Sequence, residues 1–178
     1  RLFAGETVTM QNDAFALKGV KLEFTPSGRV SFYVASTARS AFRMAGAVAD
    51  GVIIGDIADP TAIRSVIADV HGGAREVGRD PHSVKIVCWT TTVCTDDRNS
   101  VVELMRRRLL PVTIATMSEY SRNLVGVNMQ IYNAAAQALK DRAAVSREAL
   151  GDELVDRVAL VGSPRRIAER IFELEAAG

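Results

Sequence analysis

The sequence predicts an α/β chain organised around a parallel sheet, and three features carry that expectation. Short runs rich in β-branched and aromatic residues alternate with longer runs whose apolar residues recur at helical spacing. The order strand, helix, strand occurs twice in succession between Val30 and Trp89. Each intervening run is long enough for the crossover that parallel neighbours require, whereas antiparallel neighbours need only a tight turn.

The first strand is expected over Val30–Ala35, Val-Ser-Phe-Tyr-Val-Ala, after the turn set Thr25-Pro26-Ser27-Gly28. Ala38, Ala41, Phe42, Ala45, Ala47 and Val48 then line one helical face, and Asp50-Gly51 ends the pattern before a second strand over 51–55. Asp59-Pro60 opens a second helix with Ile63, Val66, Ile67 and Val70 on its apolar face. A third strand is expected from Val84 through Trp89 and on to Thr92. Either Asp96 or Asp97 suits the N-cap of the next helix, whose apolar positions are Val101, Val102, Leu104, Met105, Leu109 and Leu110. Arg106, Arg107 and Arg108 fall in its last turn, where cations complement the helix dipole, and are expected on a solvated face. Residues 112–156 carry only helical signals and are too long for a simple crossover, so they are expected as a helical insertion. The last helix has Ser163 as N-cap, Pro164 at its first position, Ile167, Ala168, Ile171, Phe172 and Leu174 on one face, and Gly178 at the C-cap.

Composition excludes several classes. The chain has 178 residues with 48% hydrophobic and 24% charged content, ordinary for a globular domain, and its length asks for one domain spanning 1–178. The 22 basic and 21 acidic side chains leave a net charge of +1, which supplies no field for nucleic acid or an anionic membrane, so neither partner is expected. No apolar run approaches the roughly 20 residues of a membrane span, and a cytoplasmic location is the expectation. Cys88 and Cys94 lie an even number of residues apart in an extended pattern, about 20 Å along one face, which excludes a disulfide between them. His71 and His82 occupy separate polar contexts, and no metal-ligand spacing is present.

At this point the residues resemble a known family. Leu2-Phe3-Ala4-Gly5-Glu6-Thr7-Val8 and Phe15-Ala16-Leu17-Lys18-Gly19-Val20-Lys21-Leu22 resemble the segment before the fifth strand of luciferase-like monooxygenases, and most of all the branch containing methylenetetrahydromethanopterin reductase. Tyr33-Val34-Ala35-Ser36 matches that strand, and Arg43 through Gly55, with Ala49-Asp50-Gly51-Val52, resembles the following helix and sixth strand. Val161-Gly162-Ser163-Pro164 through Gly178 resembles the Gly-(Ser/Thr)-Pro helix before strand eight. Two departures stand out: no proline opens the fifth strand near Arg29 to Ser31, and Arg165-Arg166 replaces the usual acidic first turn. The resemblance implies a partial (β/α)₈ TIM barrel, its C-terminal half with about strands 5 to 7, their helices and the 112–156 insertion. The chain opens on Arg1 and stops after a helical pattern, and both ends read as interruptions of a longer design.

Barrel sites form at the C-terminal ends of the strands, here Ala35-Ser36-Thr37, Ile54-Gly55-Asp56 and roughly Thr90-Thr91-Thr92. The first also opens a helix, where free backbone N–H groups, the hydroxyls of Ser36, Thr37 and Ser40, and Arg39 suit a phosphate; the plain alternative is that Ser36 or Thr37 caps the helix. The resemblance favours phosphate, because the family's cofactor phosphate sits over this turn. It likewise places Ile54 and Gly55 beside the flat ring of the cofactor, although a turn before Asp59-Pro60 also accounts for Gly55. The cofactor-binding set is therefore Ala35, Ser36, Thr37, Arg39, Ser40, Ile54 and Gly55, and the implied cofactor is coenzyme F-420, a 5-deazaflavin, with FMN as the alternative. Trp89, the sole tryptophan, is expected in the core rather than against a substrate. Tyr120, Asn123, Asn128 and Tyr132 suit substrate, surface or interface roles equally.

No side chain reads as an evident general acid, base or nucleophile, which fits a hydride-transfer enzyme whose cofactor carries the chemistry. The expectation is an oxidoreductase acting on a small organic substrate, incomplete as an isolated chain. Its rivals are a non-catalytic truncated-barrel assembly module and a different phosphate-binding barrel enzyme. Three strands cannot close a barrel, so a homo-oligomer or the remaining barrel segment is expected to cover the exposed edges.

Overall fold

The computed structural model describes residues 1–178, which divide into two compact units, Arg1–Phe32 and Tyr33–Gly178. The first is built on an antiparallel hairpin of β1 (Val8–Gln11) and β2 (Ala16–Val20). Asn12 makes the reversal: its Oδ1 accepts the backbone N–H groups of Ala14 and Phe15, both at 2.9 Å, an Asx-type turn that substitutes for backbone pairing. Phe3 and Phe32 meet edge to face with ring centroids 5.3 Å apart.

The second unit carries the parallel sheet in the expected order. Strands β3 (Tyr33–Ser36), β4 (Gly51–Gly55) and β5 (Lys85–Trp89) are neighbours in that sequence and all parallel. Helix α1 (Arg39–Val48) joins the first two and α2 (Pro60–Glu76) joins the second two. Side-chain alternation sorts the strands into two faces. Val52 and Ile54 are fully buried among Phe42 and Ala45 of α1 and Ile63, Val66 and Val70 of α2; each such aliphatic side chain contributes about 1.5–3 kcal/mol through removal from water. Ile53 and Gly55 look the other way.

The two helices touch backbone to backbone. A Cβ added at Gly46 would stand 1.9 Å from the Val70 carbonyl oxygen, and one at Gly73 would stand 1.9 Å from the Arg43 carbonyl oxygen. Only glycine fits at that crossing. At Gly51 a Cβ would stand 2.3 Å from the Tyr33 ring, which would have to turn aside, and 2.9 Å from the Lys85 carbonyl oxygen.

The third expected strand is two strands. Residues 85–89 pair with β4, the ladder ends at Thr90, and β6 (Thr91–Cys94) pairs instead with β7 (Ala159–Gly162), also parallel. Two bonds mark the exchange of partners: the Asp56 N–H donates to the Trp89 carbonyl at 3.0 Å, and the Thr90 hydroxyl donates to the Val158 carbonyl at 3.2 Å. Trp89 is 70% exposed and not a core residue, because it sits at the last register position of an edge strand. Cys88 and Cys94 are both free, as expected. The His71 and His82 rings, expected apart, lie 5.3 Å from each other because the short turn at Pro81–Ser83 returns the chain to α2.

Helix α3 (Arg98–Arg108) is capped by Asp97, whose carboxylate accepts the Ser100 N–H. It stops because Pro111, near the start of α4 (Leu110–Thr116), cannot donate to the preceding turn. Then come α5 (Glu119–Leu124), α6 (Met129–Asp141) and α7 (Asp152–Val158). Arg106 does not lie on a solvated face. It is fully buried, its Nε and Nη2 donating to the Leu150 carbonyl at 3.1 and 2.9 Å, with Glu103 at 2.7 Å and Asp152 at 2.6 Å. A guanidinium tolerates burial when its nitrogens meet acceptors; here all three do, and the bonds tie α3 to the entry of α7.

Helix α8 (Pro164–Glu175) begins as expected, with the Ser163 Oγ accepting the Arg166 N–H at 3.4 Å. Its basic first turn is offset by Arg165 on Glu169 at 2.9 Å and Arg166 on Asp156 at 2.8 Å. The C-cap is Ala176, still in right-handed conformation, so Gly178 lies beyond the cap rather than at it. No helix is long and apolar enough to cross a membrane.

Candidate functional site

At the C-terminal ends of the strands lies a hollow of about 320 Å³ lined by Ala35, Ser36, Thr37, Ile53, Gly55, Asp56, Trp89 and Thr91. Four of the seven residues expected to hold a cofactor meet there: Ala35, Ser36, Thr37 and Gly55. Arg39 and Ser40 form the first turn of α1 outside the lining, and Ile54 is buried against the helices. Alternation along β4 separates Ile54 from the hollow: Ile53 and Gly55 line it, and Ile54 between them points into the core under the helices.

The turn into α1 is not capped by a hydroxyl. Ala38 is the N-cap and no side chain caps the helix, so its first N–H groups remain open to an incoming acceptor. The two hydroxyls are used otherwise. Ser36 Oγ accepts the Ala38 N–H at 3.1 Å, and Thr37 Oγ1 accepts the Ser118 N–H at 3.0 Å. A hydroxyl has two acceptor positions and one proton. A main-chain donor takes one acceptor position on each oxygen, which leaves each hydroxyl a second acceptor position and its proton, so both hydroxyls can donate to a ligand in the hollow.

The opposite wall is open at Gly55. Nothing stands within 4 Å of where a Cβ on Gly55 would be, so a planar group can approach the backbone there. Beside it, Asp56 adopts a left-handed conformation with φ of 56°, uncommon for a residue with a side chain. Partial burial pushes its carboxyl pKa above the usual range. Asp56 and Thr91 lie at strand ends where the sequence places the site, though it gives them no role there, and Trp89, expected in the core, lines the hollow as well. Ile53 escaped sequence reading, although parity would have exposed it; Trp89 sits at a change of strand partner that local pattern does not encode.

The sequence model for luciferase-like monooxygenases matches residues 1–178. The chain belongs to that family. Within it, the chain is 27% identical over 177 residues to a 5,10-methylenetetrahydromethanopterin reductase of Methanolobus tindarius, covering 96% of this chain and 52% of that protein. Among solved structures it resembles the coenzyme F-420-dependent tetrahydromethanopterin reductase of Methanopyrus kandleri, with a TM-score of 0.81 at 16% identity over 99% of this chain and 51% of that one. An F-420-dependent secondary alcohol dehydrogenase follows at a TM-score of 0.71 and 17% identity, covering 99% and 49%. The fold is thus that of luciferase-like barrel enzymes, and the chain spans about half the length of the relatives it matches.

Proposed function

We propose that this luciferase-like chain is the C-terminal half of a (β/α)₈ barrel, about strands 5 to 7 with their helices and the 112–156 insertion. In this reading it binds coenzyme F-420, with FMN as the alternative, for hydride transfer with a small organic substrate. The observation that carries the reading is the donor turn: two hydroxyls, each holding one main-chain N–H and keeping its proton to donate, next to an uncapped helix N-terminus, at the strand ends where barrel sites form. Ser36 and Thr37 would hold the phosphate, and Ala35 and Gly55 would admit the ring system. When bound, the cofactor supplies the hydride; the protein orients it and keeps water from the reacting face. The reading places the protein in the cytoplasm.

Titration of the purified chain with coenzyme F-420 and with FMN, followed by the visible absorption and fluorescence of each, tests this. Saturable binding is expected. Gly55→Leu should abolish it while leaving thermal unfolding nearly unchanged, because the added side chain enters open space in the hollow. Absence of binding to either cofactor would favour the second reading, a non-catalytic assembly module. That alternative has its own support in an apolar hollow of about 740 Å³ beside β5, lined by Ile63, Ile67, Ile86, Trp89, Ile171 and Leu174 among others.

A further inference from the structure

The donor turn does not hold itself in place. We infer that helix α5 is its positioning element, with Ser118 and Ser121 fixing the Thr37 peptide and hydroxyl in the orientation that receives an anion; this rests on the reading of the turn as a phosphate anchor. Ser118 and Ser121 lie 81 and 84 residues from Thr37 in sequence, in a segment that otherwise reads as a plain helical insertion.

Three bonds converge on one residue. The Ser118 N–H donates to Thr37 Oγ1 at 3.0 Å, the Ser118 hydroxyl donates to the Thr37 carbonyl, and the Ser121 hydroxyl donates to the same carbonyl at 2.6 Å. A carbonyl oxygen has two lone pairs, and both are occupied. The Thr37–Ala38 peptide is therefore held with its oxygen toward α5. A rotated peptide would turn that oxygen on the hollow, where it would repel an anion. The Ser118 N–H likewise orients the side chain, because it takes one acceptor position of Oγ1 and leaves the proton for a ligand.

Helix α5 has only six residues and is itself anchored. Ser121 is fully buried. The Tyr120 hydroxyl donates to Asp69 Oδ2 of α2 at 2.6 Å, and its ring packs edge-on to Phe42 of α1 at 6.3 Å. Asp69 also receives Arg39 Nε at 3.0 and 3.1 Å. Thr37 and Arg39, the residues on either side of the Ala38 cap, are thus both tied to α5, one directly and one through Asp69.

The test compares two probes in the 178-residue protein: coenzyme F-420, and the same deazaflavin with its ribityl chain but no phosphate. The parent is expected to bind the phosphate-bearing probe more tightly. Ser121→Ala removes one donor to Thr37 and should raise the Kd for coenzyme F-420 roughly threefold to tenfold, with the Kd for the phosphate-free probe unchanged. Ser118→Ala should follow it, and Ser118→Thr, which keeps the hydroxyl, should bind as the parent does. Should Ser121→Ala fail to fold, the Ser118 pair answers alone. Equal weakening of both probes would show a merely structural role and overturn the proposal, as would variants that keep the parent's preference for phosphate. A parent without any preference between the probes would remove the phosphate reading of the turn and the clamp together.

Discussion

Thr37 uses its side-chain oxygen twice, once to receive the Ser118 N–H and once, in the proposed complex, to donate to the ligand. Thr37→Ser keeps both and is expected to bind as the parent. Thr37→Val keeps the volume but removes the ligand donor and leaves the Ser118 N–H without its acceptor. A bond to a charged group is worth about 1.5–3 kcal/mol, so the Kd should rise roughly tenfold to a hundredfold, with about 1 kcal/mol lost in stability as well. Calorimetric titration and denaturant melts of the two variants check this. Asp56 gives a second expectation, with a defined sign. Its folded-state pKa is raised by burial, so its contribution to stability is complete below the unfolded value of about 3.9 and is lost as pH rises through the raised one. Asp56→Asn, also suited to the left-handed backbone, should therefore melt above the parent at pH 7 and lose that advantage below about pH 3.9. Equal melting temperatures at pH 7 would remove Asp56 as a source of strain. Much of the turn could be read in advance because Ala35-Ser36-Thr37 sits where a β-rich run meets a helical one. Ile54 was chosen against its strand parity, and the Ser118 and Ser121 partners leave no trace in any local periodicity.

Among the elements, the α1–α2 crossing is the least forgiving. A methyl group at Gly73 would meet the Arg43 carbonyl at 1.9 Å, a contact with backbone rather than with a movable side chain. Gly73→Ala is expected to destabilise by about 1–3 kcal/mol despite alanine's better helix propensity, read as a lower denaturation midpoint at constant slope. A stabilised variant would mean that the helices can part freely. Helices were legible where a capping residue announced them, at Asp59, Asp97 and Ser163. The strand Ala159–Gly162 was not. It is only four residues long, buried throughout, and directly follows α7, so it offers neither alternation nor a turn signal. Arg106 was misplaced for a related reason: three consecutive arginines look solvated until a carbonyl 44 residues away, at Leu150, is folded against one of them.

At the scale of the molecule, the three-stranded sheet leaves β3 and β5 as edges, with Tyr33, Val87 and Trp89 exposed at 38%, 39% and 70%. Unpaired edges beside apolar surface are normally covered, and we propose that a second copy or the remaining barrel segment covers them. Light scattering is expected to show the isolated chain self-associating as concentration rises, and Trp89→Lys should shift it toward monomer; a monodisperse monomer of the parent would contradict this. The exchange of partners at Thr90 has a kinetic corollary. One extended run, 85–94, is shared between two ladders, and amide protons report the opening of the ladder they belong to. The amides of Ile86 to Trp89 should therefore exchange with deuterium in step with β4. Those of Thr92 to Cys94 should follow β7 and the helices that carry it, so that two stretches of one extended run lose their protons on different clocks.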